Sequence, residues 1–119
     1  MSRNYEPRQG DIVRMDFNPQ SGHEQAGKRP AVIVNNKSSM KYMSTRAMVC
    51  PITNTDKGFP AHVRLDNRTK TTGVILCDQA KILDIETRKA EYIERLPKDI
   101  LEEVVDIIIG MIETDDSHI

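Results

Sequence analysis

Residues 23–29 run His-Glu-Gln-Ala-Gly-Lys-Arg, and His23, Glu24, Lys28 and Arg29 can each hold a charge or move a proton. Neither these four nor Gln25 is needed to build a core. Arg29 precedes Pro30, which pushes the arginine into an extended conformation at the start of an apolar, strand-like run. A guanidinium on a rigid element presents a planar fork of donors to a phosphate. The plainer alternative is a structural ion pair, for example with Asp16 or Glu24. A second place is residues 45–60, where an apolar run ends in Thr53-Asn54-Thr55 and Lys57-Gly58 follows. A threonine there is ordinarily a good β-former, but at a strand end its hydroxyl can also donate to an oxyanion. The third place is Cys77-Asp78-Gln79-Ala80-Lys81, where Gln79 and Lys81 share a parity and so face one side of an extended segment.

These groups need elements to hold them. The loop of residues 18–29 is about 12 residues long, a length at which connections tend to be functional or disordered. Gly22 and Gly27 let it change shape. Strands are expected at residues 11–17, 31–35, 45–53, 61–65, 73–77 and, more weakly, 91–96, most of them rich in Val, Ile or Thr and bounded by turn residues. A helix follows Leu96. Pro97 suits its first turn and Asp99 suits the positive end of its dipole. Ile100, Leu101, Val104, Val105, Ile108, Met111 and Ile112 recur at helical spacing, and Ile107 and Ile109 widen that face. The pattern predicts a helix that is nearly buried or that helps pair two subunits. Residues 38–44 predict a loop or a single helical turn. The whole reads as mainly β with a C-terminal helix: a small antiparallel barrel in one domain spanning residues 1–119.

Composition narrows the classes. With 38% apolar residues, 4% aromatics and no Trp, the core must be aliphatic. No apolar run approaches the ~20 residues of a membrane span, and the first residues have no apolar signal region, so a cytoplasmic protein with no membrane association is expected. Cys50 and Cys77 lie in β-like runs without C-x-x-C spacing and read as small buried hydrophobes. His23, His62 and His118 are scattered, which predicts no metal site and no cofactor. The net charge of −1 conceals an asymmetry, because residues 1–64 carry +5 and residues 65–119 carry −6. The front half can therefore present a cationic surface to a nucleic acid or an acidic partner.

The blocks GDIVRMDFNP, GHEQAGKRPAVIV, CPITNTDKGFP and GVILCDQAKILD resemble, in order and with similar gaps, those of the MazF/PemK family of toxin endoribonucleases. The resemblance implies an SH3-like (CcdB/PemK-like) barrel that forms a homodimer. It also implies an mRNA-interferase type of activity: metal-independent, sequence-specific cleavage of single-stranded RNA. By position within the blocks, Arg29 and Thr53 match the family's catalytic pair. Glu24, Gln25, Lys57, Gln79 and Lys81 match residues that shape or contact the substrate channel. Lys28, beside Arg29, is a further candidate for RNA binding. Arg14 stands where members often have a bulky aromatic, and His23 where many have Ser.

RNA carries its own nucleophile, the 2′-OH, so the expected products are a 2′,3′-cyclic phosphate and a 5′-hydroxyl. Arg29 suits charge stabilisation and Thr53 suits a non-bridging oxygen, while Glu24 and His23 are the candidates for acid/base work or substrate positioning. A MazE-like antitoxin with an acidic, disordered segment is the expected partner. Two other readings compete. Toxins resembling CcdB use this barrel to bind DNA gyrase and need neither Arg29 nor Thr53. A non-catalytic RNA-binding module would want aromatic platforms, and this chain has three Tyr and two Phe in all.

Overall fold

The computed structural model describes residues 5–19, 22 and 27–116. Along them run β1 (Asp11–Asp16), β2 (Lys28–Ile33), α1 (Lys37–Met43), β3 (Arg46–Thr53), β4 (His62–Arg64), β5 (Val74–Leu76), a 3₁₀ turn (Cys77–Gln79), β6 (Lys81–Asp84), β7 (Glu91–Arg95) and α2 (Lys98–Ile112). The strands pair antiparallel in the order β4-β5-β3-β2-β1-β7, with β6 also on β3. The mainly β architecture with a C-terminal helix is as the sequence implies. The expected barrel, however, is an open sheet, because no ladder among the described residues joins β7 to β4. Glu94 of β7 spans that edge instead. Its carboxylate accepts from the backbone N–H groups of Lys70 (3.1 Å) and Thr71 (2.8 Å) and from the Thr71 hydroxyl (2.7 Å), in the loop after β4. Burial pushes this carboxyl up, and the three hydrogen bonds outweigh it, so Glu94 titrates below the usual carboxylate range.

Local chemistry explains where elements depart from expectation. β2 starts at Lys28, ahead of the expected residue 31, because Arg29 and Pro30 pair with Met15 and Arg14 of β1. It stops at Ile33, after which the Asn35 side chain takes over. Its Oδ1 accepts from Met48 N and its Nδ2 donates to Ser39 Oγ, each at 2.9 Å. Asn36 then caps α1 by accepting from Ser39 N at 2.9 Å, so a seven-residue helix stands where the sequence predicted a loop or one turn. β6 was not anticipated. Its run Lys-Ile-Leu-Asp is too short and too charged to show a period.

The central strands are buried on both faces, and their alternation sorts them into two cores. Ile12, Val32, Cys50, Ile52, Val63 and Ile75 point to one side, where Ile100 and Val104 of α2 close over them. Val13, Met15, Ala31, Ile33, Ala47 and Val49 point to the other and meet Phe17, Ile85 and Ala90. Burying an aliphatic side chain of this size contributes about 1.5–3 kcal/mol, so the two clusters dominate the stabilisation. Helix α2 is less buried than its pattern suggests: Ile100 and Val104 are covered, whereas Ile109, Met111 and Ile112 remain exposed.

Cys50 and Cys77 are free and buried in the helix-side core. Burial pushes the Cys77 thiol up to about 12 and the Cys50 thiol higher still. Thiolate is the reactive form. A disulfide-exchange reagent at pH 8 should therefore leave both cysteines unlabelled in the folded chain and label both in denaturant; rapid labelling without denaturant would contradict the packing.

Candidate active site

One sheet face carries the chemistry, and the strand registers decide which residues reach it. β2 and β3 pair Ala31 with Pro51 and Val32 with Cys50. Continued past this last rung, the same register sets Arg29 across from Thr53. Proline has no N–H to donate, so Pro30 and Pro51 weaken the ladder where these two residues lie. On the next strands Thr53 pairs with Val74, and Leu76 pairs with His62. Opposed residues share a face, so Arg29, Thr53, Leu76 and His62 project to one side. Their neighbours Ile52, Ile75 and Val63 project into the helix-side core. A one-residue slip would exchange the two sets, and the apolar core forbids it.

The remaining groups arrive from an interruption in the strand beside β3. Ile52 of β3 pairs with Ile75 of β5, whereas Val49 pairs with Lys81 of β6. Three steps along β3 thus correspond to six along its neighbour, and the surplus forms the 3₁₀ turn of Cys77, Asp78 and Gln79. Cys77 stays in the core while Asp78 and Gln79 come out at the cleft. Together these residues line an open cleft of about 580 Å³, completed by Thr55, Lys57 and Phe59 from the loop after β3.

That loop is pinned rather than slack. Thr53 is 8% exposed, and its Oγ1 accepts from Thr55 N at 3.2 Å, which leaves the hydroxyl proton to be donated elsewhere. Asn54 Oδ1 accepts from Thr72 Oγ1 at 2.9 Å. Asp56 accepts from Gly58 N (2.8 Å) and Arg64 Nε (2.7 Å), and these bonds hold its carboxyl below the usual range. Gly73, at φ +115°, lies directly against the Thr53 carbonyl, so that a Cβ there would collide with the carbonyl oxygen. Across the cleft, His62 Nε2 meets Asp78 Oδ1 at 3.1 Å, and its ring lies 5.1 Å from that of Phe59.

Of the residues singled out from sequence, Arg29, Thr53, Lys57 and Gln79 come together here. Lys28 is exposed on β2 and Lys81 half-buried on β6, and neither borders the cleft. Gln79 lies in the 3₁₀ turn rather than in an extended segment, and Lys81, across from Val49, lies on the same side of the sheet as Thr53 but farther along it. Arg14 is exposed on β1, across from Pro30 and Glu91. His23, Glu24 and Gln25 lie outside the described residues. Sequence reasoning missed Thr55, Phe59, His62, Leu76 and Asp78 as cleft residues. The alternation of Val63 and Leu65 toward the core was the available signal for His62.

A buried hydroxyl, a strand-mounted guanidinium, a lysine and an amide around one open cleft make an anion-binding site suited to a phosphodiester. The chain matches the model of the PemK-like, MazF-like toxin family of type II toxin–antitoxin systems over residues 8–112, and it belongs to that family. Endoribonuclease PemK of Escherichia coli is 34% identical over 102 residues, covering 81% of this chain and 74% of that protein. Endoribonuclease toxin MazF of Escherichia coli strain K12 is 38% identical over 95 residues, covering 76% and 79%. The crystal structure of MazF from Deinococcus radiodurans superposes with a TM-score of 0.84 at 34% identity, covering 91% of this chain and 97% of that one. A MazE–MazF structure from the same organism gives 0.78 at 34%, covering 91% and 96%.

The contact at Gly73 is open to test. Gly73→Ala must strain a left-handed φ and displace the strand that carries Thr53, for a loss of about 2–4 kcal/mol. The midpoint of urea unfolding should fall accordingly; an unchanged midpoint would mean that the carbonyl does not hold this position.

Proposed function

We propose that this chain is a metal-independent, sequence-specific endoribonuclease toxin that cleaves single-stranded RNA. The observation that carries the reading is the meeting of Arg29 and Thr53 in one cleft, in a chain whose relatives are endoribonucleases. The ribose 2′-OH attacks the adjacent phosphorus, the bond to the 5′ oxygen breaks, and the products are a 2′,3′-cyclic phosphate and a 5′-hydroxyl. Negative charge builds on the non-bridging oxygens in the transition state. Arg29 meets that charge from a strand rather than from a loop, so little reorganisation is needed as the reaction proceeds. Thr53 donates its free hydroxyl proton to one of the same oxygens. Lys57 and Gln79 hold the flanking backbone, Lys28 and Lys81 extend the cationic track beyond the cleft, and Gln25 is a further residue to vary for RNA contact. A guanidinium holds its own proton too firmly to act as base, so Arg29 serves as electrophile and, at most, as acid. Glu24 and His23 are the residues to vary in search of the base.

The active form is a homodimer, which covers the Ile109, Met111 and Ile112 side chains that a single chain leaves in water. Its inhibitor is a MazE-like antitoxin whose acidic segment lies along the cationic cleft and orders as it docks.

Two measurements test these assignments. Thr53→Ala should lower the rate on a single-stranded RNA by about a hundredfold or more, with Arg29→Ala lower still and the end groups unchanged in any residual product. Wild-type rates in either variant, or products with 3′-hydroxyl ends, would remove the mechanism. The dissociation constant for an acidic antitoxin peptide should rise at least about tenfold between 0.05 and 0.5 M salt; a salt-independent complex would remove the electrostatic account of inhibition.

A further inference from the structure

One wall of the cleft holds three side chains that the reaction above does not use. His62 Nε2 meets Asp78 Oδ1 at 3.1 Å, and the histidine side chain is only 7% exposed. Its Nδ1 is buried and has no hydrogen-bond partner among the described residues. A buried ring nitrogen with no partner among the described residues is a penalty that leucine or phenylalanine at this position would not carry, so packing alone does not account for a histidine. The same burial keeps Nδ1 from a substrate hydroxyl, so base catalysis from that atom does not account for it either.

What the arrangement supplies is orientation. The Asp78 carboxylate accepts the Nε2–H and fixes the imidazole plane. That ring in turn lies against Phe59, with centroids 5.1 Å apart and planes inclined by 35°. Phe59 is 53% exposed and borders the cleft that holds Arg29, Thr53 and Lys57. None of the other four aromatic residues, Tyr5, Phe17, Tyr42 and Tyr92, lines it. A half-exposed ring, braced from behind and set beside cationic groups, is what single-stranded nucleic acid uses to seat a base.

We infer that Phe59, braced by His62 and Asp78, is a stacking platform for one nucleobase flanking the scissile phosphate. The inference rests on the reading of this cleft as a ribonuclease site. Phe59 makes the contact, and His62 and Asp78 are positioning residues. Stacking accepts any base, so the platform acts on affinity and leaves the choice of sequence to other groups.

The test uses full-length protein and a single-stranded RNA containing a site that the wild-type chain cuts on a long transcript. An abasic ribose replaces each nucleotide around that site in turn. With wild type, one position should lose about 5- to 100-fold in kcat/KM when its base is removed, mostly through KM. Phe59→Ala should show a similar KM increase on the intact RNA and no further loss from the abasic change at that one position. Phe59→Tyr should restore the wild-type pattern. His62→Leu should raise KM partway and halve or more the abasic penalty there, with a folded circular-dichroism spectrum. Abasic penalties that multiply with Phe59→Ala at every position would overturn the platform while leaving the nuclease reading intact. A wild-type chain that cuts no single-stranded RNA would overturn both.

Discussion

The two faces of β3 are the constraint on which the rest depends. Ala47, Val49, Cys50 and Ile52 are all buried, alternately against one core and the other. No register other than the observed one satisfies both sets, because a shift by one residue would exchange them and expose each to the wrong surroundings. Thr53 sits at the end of this strand and inherits its direction from Ile52. The hydroxyl faces the cleft because the isoleucine faces the helix. On β2, Ala31 and Val32 likewise fix the side on which Arg29 emerges, and on β4 Val63 fixes that of His62.

A sheet this regular would present only strand side chains, and the cleft needs more than that. The three-residue surplus beside β3 meets the need by extruding Asp78 and Gln79 where β5 gives way to β6. The neighbouring loop is held by bonds of modest individual strength. Asn54 to Thr72, Asp56 to Arg64 and Glu94 to the backbone of residues 70–71 each fix one turn, and Gly73 lets that segment approach the Thr53 carbonyl. A similar clamp joins the start of α2 to the sheet side, where Arg68 Nη1 and Nη2 meet both Asp99 oxygens at 2.8 and 3.0 Å. Bidentate bonding there holds the Asp99 carboxyl below its usual range. Such exposed pairs add little stability and act by setting orientation.

Much of this was legible in the residues. Arg29 before Pro30, the Thr53 strand end and the C-terminal helix follow from local rules, and the four ordered blocks point to the family. What was hidden has physical reasons. Asn35 and Asn36 reroute the chain into α1 through side-chain bonds that no apolar period reveals. The 3₁₀ turn depends on the mismatch between β5 and β6 along β3, a long-range property that no local pattern reveals. His62 looked like a scattered histidine because its partner Asp78 is sixteen residues away. Phe59 follows Gly58 in a polar loop, where an exposed ring gives no periodic signal. Among the described residues no ladder joins β7 to β4, and the link from Glu94 to residues 70 and 71 is made by a side chain, which strand counting cannot foresee.

The central claim is that a phosphodiester of single-stranded RNA lies between Arg29 and Thr53. The direct measurement is a nuclear magnetic resonance titration of the labelled protein with an RNA made uncleavable by a 2′-deoxyribose at the scissile nucleotide. Saturable shifts are predicted at the Arg29 guanidinium and the Thr53 amide and methyl, with Val104 of α2 unmoved. Shifts confined to the exposed end of α2, with Arg29 and Thr53 silent, would contradict the account.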